Sequence, residues 1–254
     1  MGGAARARGY FITFEGVEGS GKTTQRALLA GRLRAEGFAV TELREPGDTP
    51  LGERLRAVLL GAPTTAPAPA AELCLFLAAR AQLCAQVIRW ALEEGRVVLC
   101  DRFADSTAAY QGFGRGFNLT LVHSMNRLVT AGVWPDLTVL LDLDPATGLA
   151  RRAARAGAVA SGGLDRFERE SLDFHRRVRK GYLELALADP ARFLILDALE
   201  EPAAIATKIW AHVRARLPQA ASAPAPSPSP GAPRSSPSPS PDGGEGPGEG
   251  DGPT

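Results

Sequence analysis

Residues 14–24 of the chain are Phe14-Glu15-Gly16-Val17-Glu18-Gly19-Ser20-Gly21-Lys22-Thr23-Thr24. They lie between a short aromatic and β-branched run, which is typical of a strand, and a periodic stretch that is typical of a helix. The spacing G-x-x-x-x-G-K-[ST] in that context predicts a P-loop, in which backbone N–H groups surround phosphate oxygens at a helix N-terminus. A plain glycine-rich turn is the alternative, and both the spacing and the context favour the P-loop.

The P-loop predicts a binding site for a nucleoside triphosphate and Mg²⁺. Lys22 supplies a positive charge for the β and γ phosphates, and Thr23 offers a hydroxyl to Mg²⁺. The residues assigned to ATP are Gly16, Val17, Glu18, Gly19, Ser20, Gly21, Lys22, Thr23 and Thr24. The loop alone leaves open which phosphate acceptor, if any, the protein uses.

The composition predicts one globular domain followed by a polar tail. The 254 residues are 44% hydrophobic and carry a formal net charge of +1, which argues against a surface that coats nucleic acid. We interpret residues 1–9 as a flexible extension, 10–217 as the domain and 218–254, rich in Ala, Pro, Ser and Gly, as a disordered tail. A docking role for this tail is the open alternative.

Cysteine usage and hydropathy indicate a cytoplasmic protein. The three cysteines, Cys74, Cys84 and Cys100, lie in apolar contexts without C-x-x-C spacing, which favours buried reduced thiols over a metal or redox site. The N-terminus lacks the apolar stretch of a signal peptide, and we expect no segment that spans a bilayer. Neither a membrane nor nucleic acid is expected as a partner.

Strand and helix patterns alternate along the domain. The predicted strands are Tyr10–Glu15, Phe38–Leu43, Arg96–Asp101, Leu137–Leu143 and Arg192–Asp197. The predicted helices are Lys22–Glu36, Leu51–Leu60, Ala71–Glu94, Leu119–Ala131, 145–156, 165–188 and 201–217. This alternation predicts a central five-stranded parallel sheet covered by helices on both faces. Together with the P-loop, it predicts a three-layer α/β/α P-loop NTPase fold.

The loops after the second and third strands carry charged residues that a core does not need. Arg44 follows the second strand, and Asp101 and Arg102 end the third. Because ligands bind at the carboxyl ends of parallel strands, we expect both arginines to bind a second phosphate group and Asp101 to hold Mg²⁺. A solvated loop position for Arg44 and a helix cap for Asp101 are the alternatives.

Beside the P-loop, four motifs resemble the thymidylate kinase family of the nucleoside monophosphate kinase group. They are REPG at 44–47, LFLAAR at 75–80, DRFADSTAAYQ at 101–111 and LDRFE at 164–168. The resemblance extends from about Tyr10 to Leu217. It implies transfer of the γ-phosphoryl group of ATP to dTMP, giving ADP and dTDP, with Mg²⁺. It also implies a homodimer that uses the helix from Cys74 to Trp90.

The resemblance assigns further residues to the acceptor nucleotide. Phe76 would stack on the pyrimidine ring, and Arg80, on the same helical face, would donate to its O4. The other assigned residues are Ser106, Thr107 and Gln111 at the Watson–Crick edge, Tyr110 at the 2′ position, Glu18 at the 3′-hydroxyl, and Arg44 and Arg102 at the 5′-phosphate. The residues alone leave open a core Phe beside a snorkelling Arg, and polar side chains that cap backbone groups.

A lid at about 145–168 is expected to supply cations, since the P-loop interior has no arginine. In the bacterial branch of the family with such a P-loop, lid arginines close over ATP and stabilise the transition state. The residues assigned to catalysis are Lys22, Arg102, Arg151, Arg152 and Arg155. Arg151 and Arg155 are expected to share a helical face, although a solvated amphipathic face is the alternative. The long turn at 156–163 leaves open which arginine reaches the phosphates.

Two other functions are weighed against this one. A kinase for another deoxynucleotide or nucleoside is disfavoured by the base-facing residues. A non-catalytic nucleotide switch that recruits partners through the tail is disfavoured because the chain has no N-K-x-D motif. A non-catalytic relative would normally lose Lys22, Asp101 or Arg102, and all three are present.

Overall fold

A computed structural model describes residues 8–61, 66–158 and 165–217, which belong to one compact unit. Five strands form a parallel sheet in the order β2-β3-β1-β4-β5. The strands are β1 Tyr10–Glu15, β2 Val40–Arg44, β3 Val97–Asp101, β4 Leu137–Asp142 and β5 Phe193–Asp197. The predicted five-stranded sheet is confirmed.

Three sequence predictions fall on residues outside the described part. They concern most of the N-terminal extension, at 1–7, the tail at 218–254, and the middle of the lid at 159–164. The side chains of 156–158 also lie outside it. These predictions stay predictions.

Helices cover the sheet, and side-chain caps begin several of them. The described helices are α1 Lys22–Ala35, α2 Pro50–Leu60, α3 Pro69–Leu83, α4 Arg89–Glu93, α5 Ala104–Thr107, α6 Leu119–Thr130, α7 Pro145–Ala158, α8 Leu172–Ala188 and α9 Pro202–Arg214. Thr49, Asn118 and Ser171 each accept a backbone N–H from the first turn of α2, α6 and α8, at 2.9, 3.0 and 3.2 Å. Such caps satisfy N–H groups that have no partner inside the helix.

The predicted helix at 165–188 begins later than expected. Asp165 accepts the backbone N–H groups of Phe167 and Glu168, both at 2.9 Å, and a turn occupies 166–169. Ser171 then caps α8, which begins at Leu172. The prediction was wrong for 165–171, because a side-chain acceptor takes the N–H groups at its start and so favours a turn.

Two π-helical segments interrupt regular helix. Cys84–Ile88 joins α3 to α4, and Ala108–Gly114, which was not predicted as helix, extends α5. Such segments are frequent at functional sites. The resulting stretch Pro69–Glu93 is long and apolar enough to cross a membrane by length and composition alone, and 44% of its most apolar part is buried inside the fold. Core helices of soluble proteins meet the same criterion.

Apolar side chains cover both faces of the sheet. Along β3, Val97 and Leu99 belong to one buried cluster, while Val98 and Cys100 belong to the other. The first cluster includes residues of α1, α8 and α9, and the second includes residues of α3 and α4. The predicted three-layer arrangement is therefore confirmed, with both faces of a parallel sheet buried.

The strand order changes direction at β1, between β3 on one side and β4 on the other. Crevices at such a switch point are where open parallel sheets bind ligands. Asp101 at the end of β3 is in register with Phe14 of β1 and with Arg44 of β2. The P-loop and the two charged loops therefore meet at one edge of the sheet.

Candidate active site

The P-loop makes a tight connection between β1 and α1. Gly19 has a φ of 71° and Gly21, at the N-cap of α1, a φ of 92°, a region that favours glycine. A Cβ at Gly19 would lie 2.3 Å from the carbonyl oxygen of Gly148 in α7. The loop thus contacts the first helix of the predicted lid, and the N-terminus of α1 is available to phosphate.

Lys22 folds back onto the P-loop. Its Nζ donates to the carbonyl oxygens of Gly16 and Val17 at 3.2 and 2.8 Å, and to Ser20 Oγ at 3.4 Å. Burial lowers the pKa of Lys22 to about 8, and the positive charge of Arg102 acts in the same direction. Phosphate oxygens would replace neutral acceptors by negative ones and would favour the charged amine.

Thr23 and Asp101 place two oxygen donors beside the P-loop. Thr23 Oγ1 donates to Asp101 Oδ2 at 2.5 Å. Hydroxyl and carboxylate oxygens are the ligands that Mg²⁺ prefers, usually together with substrate phosphates and water. Among the described residues, no cluster of three or more His, Cys, Asp or Glu side chains could hold a metal. The pair therefore fits Mg²⁺ that arrives with a nucleotide.

Arg102 connects the P-loop to the loop after β3. Its guanidinium donates, at 2.9 to 3.2 Å, to Gly16, Glu18, Ser106, Tyr110 and Tyr182. Its backbone φ is 73°, a left-handed conformation that costs about 1–3 kcal/mol for a residue other than glycine. The backbone N–H of Arg102 donates to the carbonyl oxygen of Phe14 at 3.0 Å, and that of Phe103 donates to the carboxylate of Glu15 at 2.7 Å. These two bonds hold the conformation.

Glu18 is a carboxylate inside the P-loop that is surrounded by donors. Arg102 donates to its Oε1 at 3.0 Å, Tyr110 donates to the same oxygen, and His175 Nδ1 lies 3.2 Å from Oε2. Burial alone would raise the pKa of Glu18, but His175, Arg102 and Lys22 lower it well below its ordinary value. Oε2 accepts no hydrogen bond from the described residues. Oε2 therefore faces His175 and has capacity to accept a ligand hydroxyl.

Glu15, the last residue of β1, anchors the loop after β3. Besides the N–H of Phe103, its carboxylate accepts the hydroxyls of Ser106 and Tyr182 at 2.6 and 2.9 Å. Burial and the charge of Asp105 raise the pKa of Glu15 to about 7, against the effect of Arg102 and these hydroxyls. Glu15 thus links the strand before the P-loop to the residues around Arg102.

One pocket of about 430 Å³ joins the P-loop to the π-helical segment Ala108–Gly114. The predicted residues that line it are Glu18, Gly19, Gly21, Lys22, Thr23, Thr24, Arg44, Phe76, Asp101, Arg102, Ser106, Thr107, Tyr110, Gln111, Arg152 and Arg155. Phe167 also lines it, with ring centroids 5.8 Å from both Phe76 and Tyr110. The pocket therefore has a P-loop end and an aromatic end.

Arg80 lies behind the pocket surface. Its side chain is 1% exposed, and Nε and Nη2 donate to Glu45 Oε2 at 2.8 and 2.5 Å. Its other N–H groups donate to Thr107, Asn126 and the carbonyl of Phe103, at 2.7, 2.7 and 3.0 Å. All five guanidinium N–H groups thus have protein acceptors, and a contact with a base would require one of these bonds to break.

The structure separates the three lid arginines. Arg152, which pairs with Glu168, and the exposed Arg155 line the pocket. Arg151 donates instead to the carbonyl oxygen of Ala198, at 3.1 Å, and is not among the pocket residues. The spacing of Arg151 and Arg155 therefore does not bring both of them to the pocket in this arrangement.

Arg44 lines the same pocket. Its guanidinium donates to Glu53 at 3.0 Å and lies 3.4 Å from Asp48, and its side chain is 47% exposed. Arg56, which was not predicted from the sequence, lines the pocket as well and donates to the carbonyl of Pro46 at 2.8 Å. Two arginines are thus placed for a second phosphate group.

The family model of thymidylate kinase matches residues 14–209 of the chain. The chain belongs to the thymidylate kinase family. It is 54% identical over 201 residues to the thymidylate kinase of Solidesulfovibrio magneticus, which covers 79% of this chain and 96% of that protein. The thymidylate kinase of Deinococcus radiodurans is 54% identical over 210 residues, or 83% of this chain and 98% of that one.

A solved structure supports the same assignment. The crystal structure of thymidylate kinase from Ehrlichia chaffeensis matches with a TM-score of 0.63 and 32% identity, covering 81% of this chain and 99% of that one. The predicted P-loop NTPase fold is thereby confirmed. As a thymidylate kinase family member, the chain is a nucleoside monophosphate kinase.

Several residues of this thymidylate kinase family site were missed in the sequence. Glu15 stood at the end of an apolar strand, where a buried carboxylate is a signal in itself. Tyr182 and His175 lie on helical faces whose pattern resembles any amphipathic helix, so they carried no such signal. They enter the site through contacts that only the tertiary fold creates.

Proposed function

We propose that the chain transfers the γ-phosphoryl group of ATP to the 5′-phosphate of dTMP, giving ADP and dTDP. The observation that carries this proposal is the position of Arg102. Its guanidinium donates to Gly16 and Glu18 of the P-loop and to Tyr110 at the aromatic end of the same pocket. A cation between two phosphate sites suits phosphoryl transfer, where positioning and charge neutralisation provide most of the catalysis.

The P-loop holds ATP in this proposal. Backbone N–H groups of residues 16–24 bind the phosphates, and Lys22 exchanges its carbonyl partners for β and γ oxygens. Mg²⁺, held by Thr23 and Asp101, would neutralise charge on the two terminal phosphates when bound. The hydrogen bond between Thr23 and Asp101 supports this pairing because it keeps both oxygen donors side by side.

The aromatic end of the pocket holds dTMP. Phe76 stacks on the base, Thr107 and Gln111 meet its Watson–Crick edge, and Tyr110 crowds the 2′ position. Arg102 and Arg44 bind the 5′-phosphate, and Glu18 accepts the 3′-hydroxyl at Oε2, beside His175. A contact of Ser106 with the Watson–Crick edge stays a prediction, since its hydroxyl donates to Glu15 and accepts from Arg102. Direct donation from Arg80 to O4 stays a prediction, and its present bonds support Thr107 instead.

A substrate panel tests the reaction. Purified chain with MgATP is expected to turn over dTMP faster than dUMP, dCMP or thymidine. Turnover confined to dCMP or to unphosphorylated nucleosides would refute the proposal. ATP binding without any dTDP formation at saturating dTMP would favour a nucleotide switch.

The lid arginines make a separate prediction. Arg155→Ala should lower kcat by on the order of 10² or more, because a cation beside the transferring phosphoryl group acts as a finger arginine. Arg151→Ala should change kcat less, since Arg151 is held by Ala198 outside the pocket. Equal kcat in wild type and Arg155→Ala would show that Arg155 has no catalytic role, and the kinase assignment would still stand.

We further propose a cytoplasmic homodimer with neither a membrane nor nucleic acid as partner. Cys74, Ala78 and Ala85 are exposed along α3 and the π-helical segment after it, on the helix that the family resemblance assigns to the dimer. Small exposed side chains of this kind permit close helix contact. Sedimentation of the purified chain tests it, and a monomer at micromolar concentration would contradict it.

A further inference from the structure

Glu72 on α3 is a buried carboxylate behind the aromatic end of the pocket. Its side chain is 1% exposed. It accepts from Gln111 Nε2 at 2.8 Å, and from the guanidinium groups of Arg115 and Arg166 at 3.1 and 2.7 Å. Three donors from distant parts of the chain therefore converge on one carboxylate, to which the sequence assigned no role.

The carboxylate of Glu72 determines which way the Gln111 amide points. Two guanidinium groups offset its negative charge, and a carboxylate in such a pair accepts hydrogen bonds but donates none. Turning the amide by about 180° would place its carbonyl oxygen against Glu72 and would replace a hydrogen bond by repulsion. The NH₂ group therefore faces Glu72, and the carbonyl oxygen with the second N–H forms the opposite edge.

We infer that Glu72 is a positioning residue that sets the base preference of the pocket by fixing this edge of Gln111. The edge accepts one hydrogen bond and donates one, which matches an N3–H beside a carbonyl, as in thymine and uracil. In cytosine, N3 carries no proton, so N3 and the carbonyl oxygen of Gln111 would face each other as two acceptors. The inference rests on the proposed nucleotide acceptor site, whose wall includes Gln111.

Neighbouring polar groups do not replace this discrimination. The N–H groups of Arg80 are all donated to protein acceptors. The Thr107 hydroxyl accepts from Arg80 at 2.7 Å and keeps its proton for a base carbonyl, a group that thymine and cytosine both carry. The oriented amide of Gln111 is therefore the group that distinguishes a base with an N3 proton from one without it.

The variant Glu72→Gln tests the inference with little change of shape. The amide that replaces Glu72 can accept or donate a hydrogen bond. The Gln111 amide can then turn either way and match the edge of thymine or that of cytosine. The measurement is the ratio of kcat/KM for dTMP to that for dCMP. We expect this ratio to fall by about tenfold to a hundredfold, mainly through KM, because one well-oriented bidentate pair discriminates by about that much.

Arg115→Gln is the matched control. Arg115 contacts the same carboxylate and also pairs with Glu170 at 2.6 Å, but makes no hydrogen bond to Gln111. The substitution removes one guanidinium group from the Glu72 cluster, but Glu72 still accepts the hydrogen bond from Gln111. We expect lower stability and a dTMP to dCMP ratio within twofold of wild type. An unchanged ratio in folded Glu72→Gln, or an equal fall in both variants, would overturn the inference.

A measurement on wild type covers the case in which Glu72→Gln does not fold. In the ¹⁵N-labelled protein, one of the two Gln111 amide protons should keep its hydrogen-bonded chemical shift when dTMP binds. A freely rotating amide would overturn the inference. If wild type made no dTDP, the proposed function would fail, and calorimetric Kd values of dTMP and dCMP would still measure the ratio.

Discussion

The two walls of the pocket are built in different ways. The donor wall is the P-loop, residues 16–24, where Lys22 bonds to residues between two and six positions away. The acceptor wall consists of Phe76, Ser106, Thr107, Tyr110 and Gln111. Its supports are distant in sequence: Glu72 lies 39 positions from Gln111, and Glu15 lies 91 positions from Ser106.

This difference has an energetic counterpart. Lys22 is buried with neutral acceptors, and its lowered pKa shows that the folded chain disfavours its charge without a ligand. The buried charges behind the acceptor wall are matched, as in the pair Arg80 and Glu45, which are 1% and 3% exposed. We conclude that the donor wall is poised for its ligand, whereas the acceptor wall is part of the stable fold.

The largest expected effect concerns the donor wall. Lys22→Met should lower kcat by on the order of 10²- to 10³-fold, the usual result of losing one preorganised donor to a developing charge. The free energy of unfolding should not fall, because the substitution removes a charge that is buried without a carboxylate hydrogen bond. Steady-state kinetics and urea denaturation measure the two quantities.

Lys208→Met is the control for this variant. Lys208 is exposed and, within the described part of the chain, pairs with Glu200 at 2.5 Å, so both quantities should stay near wild type. A large loss of stability in Lys22→Met would break the comparison, since the donor wall would then be structural as well.

The next effect concerns the acceptor wall. Arg80→Leu should lower the free energy of unfolding by about 3 kcal/mol, because it leaves Glu45 buried without its partner. Arg32→Leu on α1 removes an exposed pair with Glu36 and should change stability by less than about 1 kcal/mol. Denaturation midpoints of the two variants compare them directly, and equal midpoints would contradict the structural role of Arg80.

The same contrast explains what the sequence could predict. The P-loop, the strands and Asp101 follow from local spacing and strand ends, and the fold confirms the predicted sheet. The helix α8 begins later than hydrophobic periodicity predicts, because Asp165 and Ser171 accept local backbone N–H groups. Hydrophobic periodicity contains no information about such hydrogen bonds. Glu72 and Tyr182 could not be predicted, because their partners are brought to them only by the complete fold.

The smallest expected effect uses pH to separate the walls. Lys22, with its pKa near 8, is charged below that value and neutral above it, so ATP should bind less tightly as pH rises. Between pH 8 and 9 the KM for ATP should rise by up to about tenfold, because a full pH unit changes the charged fraction by at most that factor. The dTMP KM, measured at saturating ATP, should change less than twofold.

The acceptor wall is expected to be insensitive over this range because its groups titrate elsewhere. Burial raises the pKa of Tyr110 well above its ordinary value, and the neighbouring Tyr110, Tyr182 and Glu18 outweigh burial and raise that of Arg102. The pKa of Glu18 is lowered and that of Glu15 is about 7, so both are ionised by pH 8. A parallel rise in both KM values would mean that one titrating group serves both substrates, and it would contradict the assignment of Lys22 to ATP alone.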